Sequence, residues 1–116
     1  MTAYVIAVLD TTSTPTPHPD VLTYMERVQA TFTPYGGRFL VHGKPGEWVE
    51  GEPLGGVVMV EFPDLAAAHA WYASPAYQEI LPLRTDHLPG DVVFLEGVPE
   101  GYDAARTAAR MRAAAH

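Results

Sequence analysis

A chain of 116 residues, 47% hydrophobic and 18% charged, suits one globular domain with one core and not a disordered segment. The absence of cysteine excludes disulfides, thiolate metal sites and a cysteine nucleophile. Three of the seven basic residues (Arg106, Arg110, Arg112) follow Gly101, so residues 1–100 carry four basic and thirteen acidic side chains, a balance of −9. Such a body repels phosphate backbones, and nucleic acid is not an expected partner. No apolar run approaches the roughly 18 residues of a membrane span. The reading is a soluble, cytoplasmic protein with no signal peptide and no membrane partner.

"AYVIAVLD", residues 3–10, is β-branched and almost wholly apolar, as a central strand buried on both faces would be. The proline-rich "TTSTPTPHP" punctuates it. Pro19 suits the first position of a helix and Asp20 its first turn. Val21, Met25, Val28 and Phe32 then recur on one face, until Pro34 and "YGG" end the helix. "RFLVHG" (38–43) and "VVMVEF" (57–62) read as two strands joined by a turn-rich segment.

Asp64 can cap a second helix, "LAAAHAWYA", with Leu65, Ala68 and Tyr72 on its stripe. Ser74-Pro75 restarts the helix as cap and first residue, and Pro82 should kink or stop it. "DVVFLEG" (91–97) is the last strand, followed by an Ala-rich tail too short to be stable as an isolated helix. The order βαββαβ is that of the ferredoxin-like α+β unit, an antiparallel sheet with two helices on one face. Residues 1–100 form this domain and residues 101–116 a helical tail. The other sheet face is left open, and a homodimer is the simplest way to cover it.

"AYVIA", "YGGRFLVHG", "VVMVEFPDLAAAHAWYASPAYQEILPLR" and "VVFLEG" resemble the bacterial family catalogued as domain of unknown function 1330, over about residues 3–98. The resemblance implies the dimeric α/β-barrel superfamily, whose members include cofactor-independent oxygenases, muconolactone isomerase-like enzymes and haem-binding branches. It places the family's signature on Tyr35, Gly36, Gly37, Arg38, Glu61, Phe62, Pro63, Tyr72, Ser74, Pro75, Tyr77 and Arg84. The long proline-rich link and the tail after Pro99 depart from the pattern. Fold and dimer follow from the resemblance more directly than activity does.

If Arg38 faces Glu61 across a hairpin, unbroken alternation puts Arg38, His42 and Glu61 on one sheet face. Phe39, Val41, Val58, Val60 and Phe62 then lie on the other, under the helices. The polar set is either an ion pair fixing the sheet or dimer, or a catalytic group. In the second case Arg38 holds a carboxylate or enolate while Glu61 or His42 moves a proton.

Trp71 and Tyr72 stand about 100° apart on their helix, so both cannot occupy the centre of one stripe. Tyr72 is expected in the core and Trp71 to its side. With Tyr77 and Arg84 they either pack the core or wall a small-molecule pocket. Arg84 either reaches back to Gln78 or Glu79, or presents a planar cation to an anionic ligand. Ser74 reads as a helix cap and not a nucleophile.

The five histidines show no HxH or HExxH spacing, and no phosphate-binding glycine motif is present, so neither a metal nor another cofactor is expected. Only a site assembled from distant histidines stays open. The functional reading is cofactor-independent, oxygenase- or isomerase-like chemistry on a small organic acid or aromatic metabolite. The alternative is a non-catalytic binding or dimer-scaffold protein whose charges are structural.

Overall fold

The computed structural model describes residues 1–11, 16–43 and 46–115. Much of the proline-rich link, and with it that departure from the family pattern, lies outside the described residues, as does His116. Four strands form the sheet: β1 (Ala3–Leu9), β2 (Arg38–His42), β3 (Gly56–Phe62) and β4 (Gly90–Glu96). Helix α1 spans Pro19–Phe32, α2 Leu65–Ala73, α3 Pro75–Thr85 and α4 Ala104–Ala114. The strand order is β2-β3-β1-β4 and every pairing is antiparallel, which is the ferredoxin-like α+β arrangement.

The two central strands follow from their composition. Val5 of β1 pairs with Val60 of β3 and Phe94 of β4, placing all three on the face that carries the helices. Tyr4, Ile6, Val8, Val57, Met59, Val93 and Leu95 alternate onto the opposite face, where Val93 and Leu95 are exposed. The core lies on the helix side, with Phe32, Phe62 and Ile80 fully buried.

Local chemistry starts and stops the helices largely as the sequence implies. Pro19 opens α1, and Asp64 Oδ1 accepts from the backbone N–H of Ala67 at 2.8 Å at the start of α2. Ser74 Oγ accepts from Tyr77 N–H at 3.3 Å to restart the chain as α3. After α1 a 3₁₀ turn at Thr33–Tyr35 ends on Gly36, whose φ of 77° suits glycine.

Two expectations are corrected. Helix α3 runs through Pro82 to Thr85. Pro82 and Gln78 both lie on the exposed side, so water can meet the carbonyl that the ring leaves unbonded. The β2–β3 hairpin starts in the expected register, Arg38 against Glu61, but a bulge between Phe39 and Val41 then shifts it. Val41 now faces Met59 and His42 faces Val58, so these two residues exchange sheet faces. The tail forms helix α4, yet none of its residues is buried.

Gly37 enters β2 where a side chain would collide with the core. A Cβ there would stand 2.9 Å from Phe62 Cε1 and 3.0 Å from Phe32 Cβ, both in buried side chains. Gly37→Ala should therefore destabilise the fold by about 1–3 kcal/mol, the usual cost of overpacking, as measured by urea denaturation.

Candidate functional site

Between α1 and the sheet lies a cavity of about 520 Å³, a size ordinary for small-molecule sites. Its floor is Val5, Ala7, Leu9, Phe39, Val58, Val60 and Val92, and its roof is Val21, Tyr24, Met25, Val28 and Phe32 of α1. Most floor residues are short, so the helix spans the sheet without filling the space beneath. Trp71, Tyr77 and Arg84 close the side, while His18, His42, His87 and Thr11 also contribute to the lining. These last four sit at element ends: the end of β2, the segments after β1 and α3, and the cap of α1.

Trp71 is buried, as are the expected ligand residues Tyr77 and Arg84. It is 4% exposed, with its ring centroid 4.3 Å from that of Tyr77, 5.4 Å from Phe62 and 6.1 Å from Phe32. The expected order is reversed: Trp71 sits in the core and Tyr72 is only half-buried and outside the cavity lining. Helix α2 is rich in alanine on every side, so apolar spacing could not orient it. The deciding feature is the indole N–H, which donates to Thr31 Oγ1 at 2.9 Å. Thr31 in turn donates to the carbonyl of Val28 at 2.6 Å.

Tyr77 is buried beside Tyr24, their hydroxyls 2.9 Å apart. Burial is the largest effect on its phenol and pushes the pKa far above the ordinary tyrosine range. The Tyr24 hydroxyl acts in the same direction and the Arg84 guanidinium opposes both. Tyr77 is therefore a neutral hydroxyl throughout the neutral pH range.

Arg84 is 6% exposed, buried at the cavity wall. It does not reach back to Gln78 or Glu79. Its Nη1 donates forward to the carbonyl of Leu88 at a long 3.4 Å, and its Cζ stands 5.8 Å from the Tyr24 ring centroid. Glu79 faces Arg27 instead, at 3.8 Å. Among the described residues no carboxylate lies within ion-pair distance of Arg84.

The proposed polar trio does not converge. Arg38 Nε donates to Glu61 Oε1 at 3.0 Å on the sheet face away from the cavity. His42, moved by the bulge, stacks on Phe39 with centroids 4.4 Å apart and lines the cavity. His18, Asp20 and His87 form a further cluster that sequence reasoning missed. His87 Nε2 lies 3.1 Å from Asp20 Oδ2, and the His18 and His87 rings stack 3.5 Å apart. The separation of 67 positions between Asp20 and His87 hides this pair from any local motif. The proline after His18 was the one available signal, since it marks the preceding residue as a cap.

The model for the domain of unknown function DUF1330 matches residues 2–98. The chain belongs to that family. Among curated proteins none matches it. This DUF1330 chain is similar in fold to a Rhodopseudomonas palustris protein of unknown function, at 16% identity and a TM-score of 0.65, covering 84% of this chain and 83% of that one. It is similar to SnoaB, a cofactor-independent oxygenase from Streptomyces nogalater, at 12% identity and a TM-score of 0.58, covering 88% and 98%. It is also similar to a dimeric ferredoxin-like protein of unknown function from Jannaschia, at 17% identity and a TM-score of 0.57, covering 84% and 100%. These likenesses establish the shared ferredoxin-like fold. Helix α4 of this chain lies beyond the family match.

Thr31→Val tests the anchor of the cavity wall. It keeps the volume but strands the indole N–H of Trp71, and should cost about 1–3 kcal/mol in chemical denaturation.

Proposed function

We propose that this protein binds a small anionic metabolite with an apolar or aromatic body and performs cofactor-independent chemistry on it. The observation that carries this reading is Arg84, a buried guanidinium with no described carboxylate partner, set in an aromatic cavity. A cation removed from water is costly unless an anion meets it, and a bound carboxylate or enolate would do so. Trp71, Tyr24 and Tyr77 supply flat apolar walls, and the neutral Tyr77 hydroxyl a hydrogen bond. An oxygenase among proteins of this fold is consistent with the reading, as is an isomerase-type reaction.

Tyr72 has no part in this ligand site, and Arg38 and Glu61 serve the outer sheet face. That face supports a second reading, a homodimer. Its uncovered row of Tyr4, Ile6, Val57, Met59, Val93 and Leu95 is apolar, and a second copy would bury it. In this assembly residues 1–100 are the sheet-forming domain, and residues 101–116 are an appended tail. Light scattering should report about twice the 12.6 kDa chain mass at micromolar concentration. A monomer would remove the dimer.

Arg84→Met separates the ligand reading from a purely structural charge. Methionine keeps apolar bulk, and replacing a buried charge this way is often neutral or stabilising. Aromatic and aliphatic acids should raise the melting temperature of the wild type and leave the variant unmoved. Loss of a charge-assisted contact corresponds to about 1.5–3 kcal/mol of binding. A wild-type melt insensitive to every acid, with a large drop for the variant, would support the scaffold alternative.

A further inference from the structure

The His18–Asp20–His87 cluster stands where α1 begins and α3 ends, and both histidines line the cavity. A carboxylate against Nε2 of His87 favours the proton on that nitrogen and leaves Nδ1 with its lone pair. That Nδ1 has no hydrogen-bond partner among the described residues. The His18 ring lies flat against His87, 6° from parallel, and restricts its swing. His18 is itself held as the cap of α1, its Nδ1 accepting the Asp20 backbone N–H at 3.0 Å. The His87 backbone N–H donates to the Arg84 carbonyl at 3.1 Å, so base and guanidinium come from one helical end.

The same three residues offer donor atoms within 4.8 Å of one another, which raises a metal ion as the other use of the cluster. The ring geometry opposes it: parallel rings 3.5 Å apart do not aim both lone pairs at one point.

We infer that His87, oriented by Asp20, is the general base of this cavity, acting on an enolisable oxo acid. This rests on the ligand reading above and deepens it to a reaction class. Nδ1 takes a proton from the carbon beside the carbonyl. The C–H electron pair becomes the enolate double bond, and the carbonyl π pair moves onto oxygen, facing Arg84. The imidazolium then returns the proton to carbon or to the enolate oxygen. The step is a tautomerisation and consumes no oxidant or reductant.

Phenylpyruvate in deuterated water provides the probe. Wild-type protein should exchange the C3 protons for deuterium faster than buffer alone, read by proton NMR. His87→Gln should slow this by about 100-fold. Asp20→Asn should slow it by at least about tenfold, with half-saturation by phenylpyruvate changed by less than about twofold, as expected for a positioning residue. Failure of phenylpyruvate to raise the wild-type melting temperature would count against the ligand reading. The pair is checked independently in the unliganded protein, where ¹⁵N shifts of His87 should report Nε2–H in the wild type. A His87 carrying its neutral proton on Nδ1 overturns the assignment whatever binds. So does exchange that is undiminished in His87→Gln, or wild-type exchange no faster than buffer despite bound phenylpyruvate. Stoichiometric zinc binding to the wild type, lost in His87→Gln, would assign the cluster to a metal instead.

Discussion

The buried indole of Trp71 is the constraint around which this small domain is arranged. A ring of that size needs partners on every side and an acceptor for its one polar hydrogen. Phe62 from the sheet, Phe32 from α1 and Tyr77 from α3 supply the packing. Thr31 supplies the acceptor, and it belongs to α1. One side chain thus ties α2 to both other core helices and to β3. It also decides which way α2 turns, because the alanines around it express no preference of their own.

That packing explains why an opening exists beside the core. The aromatic cluster holds the end of α1 close to the sheet, while Ala7 and the valines under its first half are too short to fill the gap. Such a space lined only with carbon would need no charge. Here it contains Arg84, and a guanidinium removed from water without a carboxylate is poorly explained as a stabilising device. The fold accommodates it through the Leu88 carbonyl, the Tyr24 ring and the neutral Tyr77 hydroxyl, all weak partners for a full charge.

The sheet divides two kinds of chemistry. On its outer face the Arg38–Glu61 pair is satisfied at 3.0 Å amid apolar neighbours. On its inner face lie the cavity and the histidines. A single extra residue in β2 enforces this division, because strand alternation has a period of two and one inserted residue exchanges the faces beyond it. His42 changes side for that reason alone.

Much of the architecture was legible in the chain. β-branched runs, the caps Asp64 and Ser74, and Pro19 and Pro75 at helix starts are local signals, acting within one turn or one strand. They determined the element order, the ferredoxin-like antiparallel sheet and the initial Arg38–Glu61 register. Trp71, Tyr77 and Arg84 were also legible as a group that either packs the core or walls a pocket. The bulge in β2, the exchange of Trp71 and Tyr72, and the passage of α3 through Pro82 were not, because each depends on what packs or dissolves the far side of the element. The His87–Asp20 pair is the extreme case. Nothing within several residues of either side chain announces the other, and only the folding of α3 back along α1 closes the 3.1 Å between them.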